Sequence, residues 1–440
     1  MKVKMISRNP DEYLRETKKD IHKVPRNFSR ELHPFQETRE YVRAMNATKL
    51  AKVFAKPFLG SLDGHGDGIS VLAKHPTRLP FFLSGSYDGE VRLWHLGRKQ
   101  CYVRGLCVDP IEGASFVTVG DDRQIKHWSL SLDTDLPEEL SNEPLDTIPS
   151  KMSLLDVSHH WGRQQYATCG EGVSLWDHQR STPVRTYQWG VDSVHKVRFN
   201  PVETAILAGL ASDRSLLLYD TRGRVPLRKA VLKLRSNALC WNPMEATMIT
   251  VANEDYNLYT FDMRNLKAPV NIHMDHTEAV MDVDYSPTGK ELVSGSYDRS
   301  IRIFPVAKGR SREVYHTKRM HRVMCVLWSM DNKFILSGSD EMNIRLWKAN
   351  ASEKLGTLRP RERASFEYNE RLKERFAHHP EIRRIARHRH VPKHILSASR
   401  EHGIIRTSQK RKEANRRAHS KPGAVPHEPA RKKVVHEVVE

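Results

Sequence analysis

A chain of 440 residues with 38% hydrophobic and 28% charged side chains has material for a large core. Its apolar share is below the ~45–50%, glycine included, of a compact domain, so part of it is expected to lie outside any packed core. The apolar runs, such as Phe81-Phe82-Leu83, are far short of the ~18 residues of a membrane span, and the charged start Met1-Lys2-Val3-Lys4 has no apolar run behind it. Neither a bilayer helix nor a secretory leader is expected, which places the protein inside the cell.

The net charge of +19 is unevenly distributed: residues 1–60 carry 14 Lys/Arg against 7 Asp/Glu, residues 349–440 carry 23 against 11, and residues 61–348 carry 35 of each. This predicts a basic amino-terminal arm (1–60), an electroneutral centre (61–348) and a basic carboxyl-terminal part (349–440), with the arms meeting a polyanion. Cys101, Cys107, Cys169, Cys240 and Cys325 are scattered without Cys-x-x-Cys spacing, the pattern of reduced thiols packed in strands and not of a disulfide framework or zinc site.

In the arm, Asn46 or Thr48 is placed as the cap of a short helix, and residues 58–61 as a strand that closes the last repeat unit. Seven segments then end in an aromatic after a turn and an alternating strand, at Trp94, Trp128, Trp176, Tyr219, Phe261, Phe304 and Trp347, spaced 34, 48, 43, 42, 43 and 43 residues apart. That spacing brackets the ~40–45 residues of a four-stranded propeller blade, and seven such units make a ring. An Asp stands six residues before the aromatic in five repeats (Asp88, Asp122, Asp213, Asp255, Asp298), with Gly170 and Glu341 in the other two. His65, His276 and His321 precede innermost strands.

From each of four repeat aromatics to the next inner strand the chain runs 18 or 19 residues, but from Trp94 to Val103 only nine. At ~3.3 Å per residue nine residues are too few for an outer strand, a turn and a blade entry, so the first blade is expected to lack its outer strand near residues 97–103. Residues 131–149 form an acidic, proline-containing insertion read as a surface loop, with a lid for a basic segment as its functional form. Beyond Trp347, Ala364, Tyr368, Leu372 and Phe376 recur every fourth residue as a helical stripe ended by Pro380. Basic helical stretches follow, with Arg383, Arg384, Arg387, His388, Arg389 and His390, then Lys410, Arg411, Lys412, Arg416 and Arg417.

Recurring Ser, His and Asp at blade spacing serve structure, whereas a catalytic triad needs one exposed nucleophile beside an oxyanion hole. His159-His160, His378-His379 and His388-Arg389-His390 lack a carboxylate or Cys at zinc-motif spacing and read as solvated or phosphate-contacting. No phosphate-cradling glycine loop occurs. No enzyme activity, cofactor or metal is expected.

The repeats resemble the WD-repeat family, in which a buried His, Asp, Ser/Thr and Trp hydrogen-bond within a blade. The resemblance implies an all-β, seven-bladed WD40 propeller and a structural role for His65, Asp88, Trp94, Asp122, Trp128, Trp176, Asp213, Asp255, His276, Asp298, His321 and Trp347. Strings that generic WD-repeats do not share, among them Asn46-Ala47-Thr48-Lys49-Leu50, Phe54-Ala55-Lys56-Pro57 and Arg384-Ile385-Ala386-Arg387-His388-Arg389-His390, make nearly the whole chain similar to the WD-repeat and SOF-domain family of suppressor-of-fibrillarin-like proteins. That resemblance implies a nucleolar, non-catalytic component of the small-subunit processome, with pre-18S rRNA, the U3 ribonucleoprotein and other processome proteins as partners. Spaced Arg and His on basic helices suit RNA phosphates and bases, so the eleven basic residues of the extension named above are the candidate contacts, and residues 410–417 a candidate nuclear import signal.

A second reading comes from Tyr219-Asp220-Thr221-Arg222 and Phe261-Asp262-Met263-Arg264, which end consecutive repeats. They are similar to the motif by which substrate receptors bind the damaged-DNA-binding adaptor of cullin-4 ubiquitin ligases. Asp220, Arg222, Asp262 and Arg264 are the candidate docking residues.

Overall fold

A computed structural model describes residues 34–96, 101–103, 107–111, 113, 115–130, 144–190, 193–421 and 423–439. The chain divides into two compact units, one of residues 1–55 with 354–388 and one of residues 56–353 with 389–440. Both expected arms are therefore divided differently from the cuts that charge suggests.

The larger unit is a ring of seven antiparallel sheets. Blade one runs from inner to outer strand as Ile69–Lys74, Phe81–Ser86, Val91–His95 and Cys101–Val103, and blade two as Cys107–Val108, Ser115–Val119, Gln124–Ser129 and Asp146–Pro149. Blades three to six follow the same meander, their inner strands starting at Asp156, Val194, Ser236 and Val280. Blade seven (Val323–Trp328, Phe334–Ser339, Ile344–Lys348) takes its outer strand from Phe58–Leu62, with Phe58 opposite Trp347 and Leu62 opposite Ile344. The expected closing strand is thus present. Asn46 and Thr48, however, lie inside a longer helix, and the Thr48 hydroxyl bonds back to Ala44 O (2.8 Å) instead of capping.

The middle strands are buried on both faces because each blade is sandwiched between two others, which is why Ser215–Asp220 reads Ser-Leu-Leu-Leu-Tyr-Asp without strict alternation. The hairpin before each such strand has a fixed device. Asp88, Asp122, Asp213, Asp255 and Asp298 each accept the backbone N–H two residues on (2.8–3.2 Å). The residue between is left-handed, with φ from +58° at Arg123 to +82° at Gly89. The carboxylate satisfies a donor that the tight turn leaves free.

Within the blades the indole N–H groups of Trp94, Trp128, Trp176 and Trp347 donate to Ser84, Thr118, Thr168 and Ser337 (2.7–3.0 Å). His65 reaches Ser84 (2.6 Å), and His276 joins Ser294 (2.7 Å) to Asp298 (2.9 Å). His321 does not belong to this set: its side chain is 62% exposed and lies 3.7 Å from Glu341. Asp298 alone of the five aspartates hydrogen-bonds a blade histidine; Asp122 and Asp213 pair with Lys126 and Lys229.

Two expectations are corrected. Blade one keeps its outer strand, since Cys101 and Val103 pair with Trp94 and Arg92. The described inner strand of blade two is Cys107–Val108, where other blades use four to six residues, and residues 104–106 before it lie outside the described residues. The acidic insertion is not wholly loop, because Asp146–Pro149 forms the outer strand of blade two; residues 131–143, where a lid was placed, lie outside the described residues.

The smaller unit packs three helices, α1 (Gln36–Val53), α2 (Pro360–Arg375) and α3 (Pro380–Arg387), around Ala44, Leu372, Phe376 and Ile382. Arg375 pairs with Glu40, and Tyr41 donates to Glu381 (3.3 Å). Of the predicted stripe only Leu372 and Phe376 are buried; Tyr368 is exposed and bonded to Arg43. In the larger unit α4 (Lys393–Ala418) precedes Val435–Val439, which adds a fifth strand to blade four by pairing with Arg228–Leu232.

Burial pushes His127, His195 and His273 down to about 4. An unfolded histidine titrates near ~6.5, so between the two values the unfolded chain holds more protons. Stability from these rings is full above that range and is lost as pH falls toward 4. The thermal midpoint is expected to drop by several degrees between pH 7 and 5, and less in His273→Gln; a flat profile in wild type would contradict this.

Candidate nucleic-acid and protein interfaces

The eleven basic residues predicted to contact RNA fall into three groups. On α3, Pro380 occupies the first turn and Ile382 turns into the small core, which leaves Arg383, Arg384, Arg387 and His388 exposed. Among the described residues none of the four has an ion-pair partner. A helix with one buried apolar residue and three free guanidinium groups presents planar donors that match phosphate oxygens and stack on bases.

Arg389 and His390 are placed differently from the exposed residues of α3. Arg389 is half-buried; it donates to Ser311 O and to Arg312 O (3.2 Å) and lies 3.6 Å from Asp275. Asp275 also accepts from Arg310 (2.6 Å) and from the Ser311 amide and hydroxyl (2.8 and 2.6 Å). His390 O accepts from His316 Nε2 (3.1 Å), and the two rings stack at 5.6 Å. These two residues anchor the chain to the propeller, and the buried acid Asp275, which no motif marked, is the centre of that anchor.

The third group lies on α4. Lys410, Arg411, Lys412 and Arg416 are exposed, and Arg417 is half-buried against Glu413 O (3.2 Å). The helix is seated by buried Ile395 and by His402 stacked on Tyr256 at 5.1 Å. Glu413 pairs with Lys433 (2.7 Å), which ties the helix to the strand that follows.

The two Asp-x-Arg turns share one geometry. Asp220 accepts from Arg222 N (2.9 Å) and its guanidinium (3.1 and 3.2 Å), and Asp262 accepts from Arg264 N (3.0 Å) and its guanidinium (2.7–3.2 Å). Burial works against the Asp220 charge, but the Arg222 bonds hold its carboxyl below the usual range; at Asp262 the Arg264 bonds dominate. Arg222 and Arg264 remain 71% and 70% exposed. Each turn is gripped from the preceding blade: Arg185 donates to Thr221 O (2.7 Å) and Gly223 O (3.0 Å), and Arg228 to Arg264 O (2.5 Å).

Groupings that would suggest chemistry are otherwise engaged. His276, Ser294 and Asp298 form a Ser–His–Asp chain buried inside a blade. His159 and His160, read above as solvated or phosphate-contacting, are buried as well. His65, Asp88 and Glu90 bring ligand-type atoms within 4.8 Å of one another, but Arg92 donates to Glu90 (2.7 Å), and a guanidinium there opposes a cation. The central channel encloses about 360 Å³, lined by Lys74, Asp156, Lys196, Arg198, Asp282 and Asp284. Lys74 pairs with Asp284 (3.1 Å) and Arg198 with Asp156 (2.6 Å), while burial pushes Asp282 up to about 6.

Four-stranded blades joined by aspartate-capped hairpins define a WD40 propeller. The family model "WD domain, G-beta repeat" matches residues 56–95, 267–304 and 312–348, and the solved WD40 propeller domain of Doa1 superposes with TM-score 0.56 at 18% identity, covering 66% of this chain and 96% of that one. The "Sof1-like domain" model matches residues 349–435. The chain is 58% identical to DDB1- and CUL4-associated factor 13 of Xenopus laevis and 57% to that of Homo sapiens, each alignment covering 100% of both chains. It is 43% identical to Protein SOF1 of Saccharomyces cerevisiae over 95% of this chain and 91% of that one. The chain belongs to this family of WD-repeat proteins with a Sof1-like domain.

Removing the Arg389 side chain leaves Asp275 bonded to Arg310 and Ser311, so Arg389→Ala is expected to cost about 1–2 kcal/mol locally. Amide exchange over residues 390–396 reads it, with roughly tenfold faster exchange expected; unchanged protection would show that Arg389 does not hold the segment.

Proposed function

We propose that the protein is a non-catalytic scaffold of the small-subunit processome, resident in the nucleolus, required for pre-18S rRNA processing and 40S subunit biogenesis. In this reading its helices touch pre-rRNA or U3 RNA while its blades meet protein neighbours. The observation that carries it is the free row Arg383, Arg384 and Arg387 with His388, exposed over a buried Ile382. The likeness to Protein SOF1 and the Sof1-like segment support it. Lys410–Lys412, Arg416 and Arg417 add cations and fit a nuclear import signal.

Deleting residues 349–440 is a poor test, because residues 389–440 belong to the propeller's own compact unit. Arg383→Ala/Arg384→Ala/Arg387→Ala in the full chain avoids this. Each phosphate contact contributes about −0.7 to the slope of log affinity against log salt for single-stranded RNA, so the triple variant is expected to bind with a slope shallower by about 2 and to recover fewer U3 and pre-18S fragments on crosslinking. Unchanged slope and recovery would reject the helix as a contact.

A second reading, favoured by the exposed and pre-bonded Arg222 and Arg264, is that the chain also docks the adaptor of a cullin-4 ubiquitin ligase, as the name DDB1- and CUL4-associated factor 13 states for its relatives. Arg222→Glu/Arg264→Glu is expected to abolish adaptor co-purification and leave ribonucleoprotein association intact. Retained adaptor would reject docking through these turns.

A further inference from the structure

At one mouth of the channel, the residue after the second strand of a blade pairs with the residue that opens its inner strand. Tyr87 N donates to Gly68 O (3.0 Å), Tyr297 N to Ala279 O (3.1 Å) and Asp340 N to Arg322 O (3.1 Å). Blades six, seven and one therefore set Tyr297, Asp340 and Tyr87 side by side along the rim. Tyr87 is 56% exposed, and the Arg322 guanidinium lies 5.2 Å from the centre of the Tyr297 ring. A methyl group on Gly68 would stand 3.2 Å from Asp340 Oδ1 and 3.4 Å from Tyr87 Cδ2, so acid and ring both border that glycine.

The loop into blade seven adds exposed Lys318, Arg319, His321 and Arg322, and the turn after Tyr297 adds exposed Arg299 at φ +61°. Among the described residues Lys318, Arg319, Arg322 and Arg299 have no ion-pair partner. The same face carries α4, whose His402 stacks on Tyr256 at the equivalent hairpin of blade five.

We propose that this rim binds single-stranded RNA, with bases stacking on Tyr87 and against the Arg322–Tyr297 pair and phosphates on Lys318, Arg319, Arg322 and Arg299. Aromatic faces interleaved with unpaired cations are the chemistry of sequence-tolerant single-strand contacts. An acidic peptide fits less well: Asp340 and Asp67 lie near Tyr87 and would repel a carboxylate placed there, whereas a base stacked on the ring offers them N–H donors, uracil N3–H included, while its phosphates lie on the cations. The site is built from residues of the disc itself, none of them among the cations named on α3 and α4.

The test uses the full chain and a labelled oligouridylate of about 12 nucleotides. Tyr87→Ala/Tyr297→Ala is expected to weaken binding about tenfold with the salt slope kept, since lost stacking releases no counterions. Lys318→Glu/Arg319→Glu/Arg322→Glu is expected to make the slope shallower by about 2. Wild-type photo-crosslinks should include residue 87 or 297, a readout independent of how well either variant folds. Unchanged binding in both variants, with crosslinks confined to residues 383–417, would overturn the rim site and leave the helical contact standing. Displacement of bound RNA from wild type by polyuridylate but not by polyglutamate is expected; bound polyglutamate blocked by the rim variants, with no RNA crosslink at the rim, would overturn the proposal in favour of an acidic peptide. If wild type binds no RNA, both readings fall.

Discussion

The pairing of Phe58–Leu62 with Ile344–Lys348 is the constraint on which the larger unit depends. A blade buried on both faces has no stable existence outside the stack, and a stack of twisted sheets leaves two raw ends unless it closes. Here closure seats Leu62 with Ile344, Leu336 and Cys325 of blade seven and with Ile69, Phe82 and Trp94 of blade one, all nearly inaccessible. One strand thus supplies the missing edge of blade seven and part of the core between first and last blades. The strand Val435–Val439 does a similar service on blade four, where Val434, Val435 and Val438 join the core of blades four and five. Residues near both ends of the chain are structural parts of the disc, although composition alone groups them with the arms.

Much of this was legible because the blade hairpin is chemically demanding. A turn with a left-handed residue needs a side-chain acceptor for the next free amide, and Asp six residues before a large aromatic writes that need into the sequence at Asp88, Asp122, Asp213, Asp255 and Asp298. The closing strand was legible for a similar reason, since a ring of seven units short of one strand must find it elsewhere. What spacing could not decide was how a shortage is shared. Nine residues between Trp94 and Val103 say that something is missing, but not where: Cys101–Val103 still forms the outer strand of blade one, and the described inner strand of blade two is Cys107–Val108. His321 misled because position before an inner strand does not fix side-chain direction.

The candidate interfaces were less legible, because a charge count is blind to pairing. Arg389 sits in the same short run as Arg383, Arg384 and Arg387, yet only Arg389 meets a buried carboxylate, and that carboxylate, Asp275, is 114 residues away in sequence. Conversely the balanced count for residues 61–348 conceals local imbalance. In the channel Lys74, Arg198, Asp156 and Asp284 neutralise one another in pairs, whereas among the described residues Lys318, Arg319, Arg322 and Arg299 at the rim form no ion pair. An electroneutral disc therefore still presents a free cationic arc, and the resemblance that directs attention to the extension gives no hint of it.

The meander of each blade also decides whether the two proposed roles compete. Successive turns alternate between the two faces of a propeller. The hairpins at Tyr87, Tyr297 and Tyr256 join second to third strands, whereas the Asp220–Arg222 and Asp262–Arg264 turns join third to outer strands. The rim tyrosines and the Asp-x-Arg turns consequently lie on opposite faces, on blades six, seven and one against blades four and five. Adaptor and RNA need not exclude each other on this disc.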